Sequence, residues 1–126
     1  MGLSSYKVSA QIAVSDMTRA VEFYERRLGL TAAGEQVGGG RSYACGDGSV
    51  LHVYASPPHA GKATATLARW DVGDVERVVD ELSAAGVRFA QYDEPKTDAK
   101  GIHDSGYGKV AWFQDPDGNT FALEQV

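Results

Sequence analysis

A strand, a helix and three further strands occur twice in this chain of 126 residues, and a protein built from two copies of one small unit has few folds open to it. In the first copy residues 6–14 alternate. Val8, Ala10, Ile12 and Val14 share one face while Ser9, Gln11 and Ala13 share the other, the period of a half-buried strand. Ser15-Asp16 then offers an N-cap, Met17, Ala20, Val21, Tyr24 and Leu28 recur at helical spacing, and Gly29 closes the helix. A Gly38-Gly39-Gly40 turn leads to a strand over 41–45, a turn at Gly46-Asp47-Gly48 and a strand over 50–54. Ser56-Pro57-Pro58-His59-Ala60-Gly61 is a linker by composition, with His59 solvated.

The pattern then restarts. Residues 64–72 are strand-like, Gly73-Asp74 caps, and Val75, Val78, Val79 and Leu82 form a helical stripe ending at Gly86. A strand over 87–90, a long polar loop, and strands over 110–113 and 120–123 follow, the last two divided by Asp115-Pro116-Asp117-Gly118-Asn119. Val14-Ser15-Asp16 recurs as Val72-Gly73-Asp74, which sets Gln11 against Arg69; Gly48 recurs as Gly118. The expected class is α+β: two βαβββ modules, about 6–56 and 63–126, in a single domain. Their helices lie outside, and the concave sheet faces enclose a shared cavity, a natural place for a ligand.

Composition narrows the partners. A formal charge of −5 and a pI of about 5.1 argue against a nucleic-acid binder or an anionic-membrane binder, both of which need a basic surface. The single cysteine, Cys45, excludes an intrachain disulfide and a thiolate zinc cluster, and its strand-like setting reads as a small core residue. The N-terminal residues lack the apolar run of a signal peptide and no stretch reaches membrane-spanning length, so a cytoplasmic protein is expected.

Two motifs carry a family resemblance: Val14-Ser15-Asp16-Met17-Thr18-Arg19-Ala20-Val21-Glu22-Phe23-Tyr24 with Leu28-Gly29-Leu30, and Trp112-Phe113-Gln114-Asp115-Pro116-Asp117-Gly118-Asn119. In this order and spacing they resemble the vicinal-oxygen-chelate superfamily, which includes glyoxalase I, bleomycin-resistance proteins, fosfomycin-resistance enzymes, extradiol dioxygenases and methylmalonyl-CoA epimerase. Asp115 and Asp117 read as turn residues and not as catalytic ones.

The resemblance also implies where a metal would sit. Metal-dependent members take one ligand from the first and one from the last strand of each module, and those positions here are Ser9, His52, Leu67 and Ala122. Leu67 and Ala122 have no donor atom and Ser9 is a poor one, so no metal cofactor is expected at the usual place. Two residues further along each strand stand Gln11, Tyr54, Arg69 and Glu124. Gln11, His52 and Glu124 there could form a displaced divalent-metal site, which the neighbouring Arg69 guanidinium would oppose.

By strand parity the cavity layer comprises Ser9, Gln11, Ala13, His52, Tyr54, Leu67, Arg69, Ala122 and Glu124, with Trp70 on the helix-packed side. Arg69 offers a fork for an anionic ligand group or, alternatively, an internal ion pair with Glu124. His52 is a candidate acid or base, and with Glu124 forms the candidate catalytic pair. The 92–108 segment contributes His103 and Tyr107 as groups that close over the cavity, unless it is only a surface loop. The ligand-binding set is therefore Gln11, His52, Tyr54, Arg69, Glu124, His103 and Tyr107. The first expectation is a metal-independent protein of bleomycin-resistance type that binds an aromatic or largely apolar small organic ligand. The resemblance implies a homodimer, with modules pairing within one chain or between partners. The alternatives are a glyoxalase-like lyase, epimerase or isomerase, with or without a divalent metal, and an accessory domain with a vestigial cavity.

Overall fold

A computed structural model of the protein describes residues 2–33 and 38–126. It consists of two compact units, Met1–Ala60 and Gly61–Val126, which divide within the Pro-rich stretch expected to be a linker. The expected Gly38-Gly39-Gly40 turn is present, while the residues just before it, 34–37, lie outside the described part.

In the first unit β1 (Ala10–Val14) leads into α1 (Met17–Val21), followed by a π-helical turn over Glu22–Arg27, then β2 (Arg41–Ala44) and β3 (Val50–Ala55). The Asp16 carboxylate caps α1, accepting from the backbone N–H groups of Thr18 at 2.9 Å and Arg19 at 3.3 Å. The three strands order as β1-β3-β2, with β1 parallel and β2 antiparallel to β3. Ile12, Val14, Tyr43, Leu51 and Val53 alternate onto the buried side together with Ala20, Phe23 and Tyr24. The ladder begins at Ala10, opposite Leu51, so the strand is shorter than the alternation from Tyr6 suggests. Residues 6–9 lie outside the ladder, and Tyr6 and Val8 are exposed.

Tyr43 anchors this core. Its ring stacks near-parallel on Tyr24, centroids 6.1 Å apart, and its hydroxyl donates to Glu25 Oε2 at 3.0 Å. Burial, reinforced by the Glu25 hydrogen bond, raises the Tyr43 pKa well above the ordinary phenol value. A phenol whose pKa is higher folded than unfolded contributes stability that is complete below about pH 10 and is lost as pH rises further. Chemical denaturation at increasing alkaline pH should therefore show a falling unfolding free energy. Tyr43→Phe should flatten that slope while costing about 1 kcal/mol at neutral pH through the lost hydrogen bond. An unchanged alkaline slope in Tyr43→Phe would refute the assignment.

The second unit repeats the plan: β4 (Thr66–Asp71), α2 (Val75–Ala84), β5 (Ile102–Asp104), β6 (Lys109–Gln114) and β7 (Thr120–Gln125). Asp74 caps α2 by accepting from Arg77 N–H at 3.2 Å, and Gly86, with φ of 98°, ends it in the left-handed region that glycine enters freely. The strands order as β4-β7-β6-β5, with β4 parallel to β7 and the other pairs antiparallel. Val75 and Val79 of α2 are buried with Ala111, Phe113, Phe121 and Leu123 of the sheet it covers. Trp70 joins this packed side as expected, stacking on Phe113 and tilting against Phe121.

One element differs. Residues 87–90 form no strand; Phe89 makes a single bridge to Phe113, and the edge of the sheet is β5, inside the stretch expected to be a polar loop. Local hydrogen bonds decide this. Asp98 Oδ1 accepts from the N–H groups of Lys100 and Ile102, and Thr97 Oγ1 accepts from Tyr92 N–H. The loop is thereby folded back so that Ile102, and not Phe89, begins the continuous pairing with β6.

The registers of the two units match. Gln11 stands beside His52 and Ala13 beside Tyr54; Arg69 stands beside Ala122 and Asp71 beside Glu124, the equivalent positions of the repeat. The second unit departs only at Leu67, where the β4–β7 register shifts between Thr66 and Ala68.

Candidate functional site

Each unit packs one sheet face beneath its helix and leaves the other for polar and aromatic side chains. In the first unit Gln11 and Ser42 flank His52 in adjacent strands, so the three form a row across that second face, with Ala13 and Tyr54 in the next row. Gln11 Nε2 donates to Ser9 Oγ at 3.1 Å, and the Ser42 hydroxyl and His52 Nδ1 share a hydrogen bond of 2.8 Å. The His52 ring lies near-parallel to that of Tyr54, centroids 6.1 Å apart. The sequence-derived residues Gln11, His52 and Tyr54 are thus brought together.

In the second unit Arg69, Ala122 and Trp112 form one row, and Asp71, Glu124, Val110 and His103 the next. Arg69 is clamped: its Nε meets Asp71 Oδ1 at 2.9 Å and its Nη1 meets Glu124 Oε2 at 2.8 Å. The expected Arg69–Glu124 ion pair is present, with Asp71 as a second carboxylate. The half-buried Trp112 ring meets that of Tyr92 in a T-shaped pair, centroids 5.5 Å apart and planes at 78°. Glu124 and Val110 also line a depression of about 130 Å3 whose rim carries Tyr107, a fully exposed ring in the β5–β6 turn. His103 faces an open depression of about 360 Å3 at the sheet edge, where its Nδ1–H donates to the Lys96 carbonyl at 2.8 Å. Since a carbonyl only accepts, neutral His103 carries its proton on Nδ1.

Sequence reasoning missed Ser42, Asp71, Trp112 and Tyr92. Asp71 and Trp112 were readable by parity, Asp71 two residues from Arg69 and Trp112 two from Val110. Ser42 reaches His52 only through the β2–β3 register, and Tyr92 reaches Trp112 from a loop, neither of which leaves a local signal. Cys45 is half-buried just beyond β2, and His59 is exposed with its Nδ1 2.9 Å from Ser56 Oγ.

The residues at the four superfamily ligand positions do not fit a metal. His52 is the one strong donor among them, Leu67 sits at the register shift and Ala122 presents a methyl group. In the displaced set, Glu124 is ion-paired to Arg69 through Oε2. Among the described residues no three His, Cys, Asp or Glu side chains cluster closely enough to hold a metal ion.

The sequence model of the Glyoxalase/Bleomycin resistance protein/Dioxygenase superfamily matches residues 8–123. The chain belongs to this superfamily. No curated protein matches it. Among solved structures, a glyoxalase/bleomycin resistance protein from Catenulispora acidiphila DSM 44928 is 26% identical, with 95% of this chain and 97% of that one covered and a TM-score of 0.72. TnmS3, an antibiotic binding protein from Streptomyces sp. CB03234, shares the fold at 24% identity, with 96% and 97% covered and a TM-score of 0.66. The fosfomycin resistance protein FosX from Mesorhizobium loti shares it at 14%, with 96% and 92% covered and a TM-score of 0.66. The mixed α+β fold with two sheets is therefore the superfamily fold, and no helix among the described residues is long and apolar enough to cross a membrane.

Proposed function

We propose that this superfamily member is a metal-independent binding protein for an aromatic or largely apolar small molecule, cytoplasmic and homodimeric, with ligand capture as its activity. The observation that carries the reading is the Trp112–Tyr92 pair set beside the Ala122 methyl and the clamped Arg69. An aromatic face with an apolar floor and a few fixed polar groups is what a flat organic ligand requires. Gln11, His52 and Tyr54 supply a second such strip, hydrogen-bonding groups beside a phenol ring. TnmS3 is described as binding an antibiotic, so the scaffold supports that use in another protein.

The second reading, a lyase, epimerase or isomerase that uses His52 and Glu124 for proton transfer, draws support from His52. Its Nε2 has no hydrogen-bond partner among the described residues and could exchange a proton with a substrate. Thermal unfolding separates the two. The binding reading expects no change in Tm with a chelator or with added zinc, and a rise of several degrees with some members of an aromatic natural-product panel. A stoichiometric divalent ion needed for binding would overturn metal independence, and catalytic turnover of a panel compound would favour the enzyme. Sedimentation velocity tests the dimer.

A further inference from the structure

We propose that Ser42 is a positioning residue for His52, fixing the neutral ring in the tautomer that presents Nε2–H to a hydrogen-bond-accepting oxygen of the ligand, such as a carbonyl or phenolate. The inference rests on the reading of the His52 face as a ligand-binding face. The β2–β3 register sets Ser42 directly across from His52, and its hydroxyl lies 2.8 Å from Nδ1. A bare imidazole nitrogen is a better acceptor than a hydroxyl oxygen, so the hydroxyl donates and the ring proton goes to Nε2. When the ring takes up a second proton the hydroxyl can rotate and accept from Nδ1–H, so Ser42 holds the same ring orientation in both states.

Gly40 supplies an independent observation on the opposite ring edge. A Cβ built there would stand 2.9 Å from His52 Nε2 and 3.0 Å from Cε1, closer than side chains tolerate. The Gly40 backbone has no positive φ to demand glycine; the constraint is space, bounded by the His52 ring and by the Val53 carbonyl oxygen, 3.1 Å from the same Cβ. The hydroxyl occupies Nδ1, and the missing side chain at Gly40 spares the Nε2 edge the close contact that a Cβ would make. Among the described residues Nε2 has no hydrogen-bond partner.

Two-bond proton–nitrogen NMR spectra of the full, ligand-free chain at about pH 9, above the usual imidazole range, test this directly. The chain has three histidines, and His103, locked as Nδ1–H by the Lys96 carbonyl, is an internal reference of the opposite tautomer. His52 should show a bare Nδ1 and a protonated Nε2, the reverse of His103. Ser42→Ala should pull both His52 nitrogen shifts toward the averaged values of a free imidazole and leave His103 unmoved, which also reports that the fold persists. Ser42→Thr should restore the parent pattern, and Gly40→Ala should displace the His52 signals while leaving those of His103 unmoved. Overturning results are a His52 pattern unchanged in Ser42→Ala, one already averaged in the parent, or one of Nδ1–H type. Because no ligand is used, failure here is distinct from a panel that yields no binder.

Discussion

Asp115→Ala should destabilise the protein by about 3 kcal/mol or more, the largest loss expected from a single polar side chain here. Asp115 is only 5% exposed, yet both carboxylate oxygens are used. Oδ1 accepts from the N–H groups of Asp117 and Asn119, each at 2.9 Å, and Oδ2 accepts from Asn119 Nδ2 at 2.8 Å. Asn119 in turn holds Gly61 through its Oδ1 at 3.1 Å, so one carboxylate organises the β6–β7 turn and the entry to the second unit. Truncation removes the acceptor that these three donors share, two of them on buried Asn119, and a buried donor that loses its acceptor costs more than the bond itself contributes. Asp115→Asn should cost roughly half as much, because an amide oxygen still serves the two backbone groups while its NH2 opposes the NH2 of Asn119. Adding Asn119→Asp to that variant reverses donor and acceptor and should recover part of the loss. Urea denaturation measures all three as shifts in midpoint at constant slope. A loss below about 1 kcal/mol for Asp115→Ala would mean that the turn holds its shape without the carboxylate.

This turn is legible in the sequence because Asp-Pro-Asp-Gly-Asn carries its own conformational instructions. The helix caps Asp16 and Asp74 and the face assignments of Ile12, His52, Arg69 and Trp70 were legible for the same reason, being set by residues within a few positions of each other. The repeat added something longer in range: equating Gln11 with Arg69 and His52 with Ala122 anticipates the matching registers of β1–β3 and β4–β7. Residues 87–102 were misread because their alternation suits a strand at Phe89, whereas the outcome depends on how Asp98 and Thr97 fold the following loop. The candidate site was half legible. Strand parity collects side chains on a face but does not say which neighbour claims each one. That Arg69 is shared by two carboxylates, that Ser42 takes His52 Nδ1 and that Tyr92 reaches Trp112 follow from tertiary geometry alone.

Trp112→Ala should weaken binding of whichever aromatic compound the panel yields by about thirty-fold, close to 2 kcal/mol, more than any other single change on the sheet face of the second unit that α2 leaves uncovered. The two tryptophans of the chain divide the labour: Trp70 is packed against Phe113 and Phe121, while Trp112 stands on the opposite face in a T-shaped pair with Tyr92. A ring held by such a neighbour gives up little conformational freedom when a ligand stacks on it, so most of the contact appears as affinity. Tyr92→Ala removes the support but not the platform and should cost several-fold less. Arg69→Gln should alter binding in a direction set by ligand charge, and should change stability by under about 1 kcal/mol because its ion pairs are half-exposed. In Trp70→Phe the remaining fluorescence reports Trp112 alone, so titration of that variant gives Kd together with direct evidence of contact. Parent-like affinity in Trp112→Ala, or fluorescence indifferent to a ligand that raises Tm, would move the binding surface off this face. The polar row of Gln11, His52 and Ser42 would then be the remaining candidate, and Gln11→Ala and His52→Ala the variants in which the affinity loss should appear.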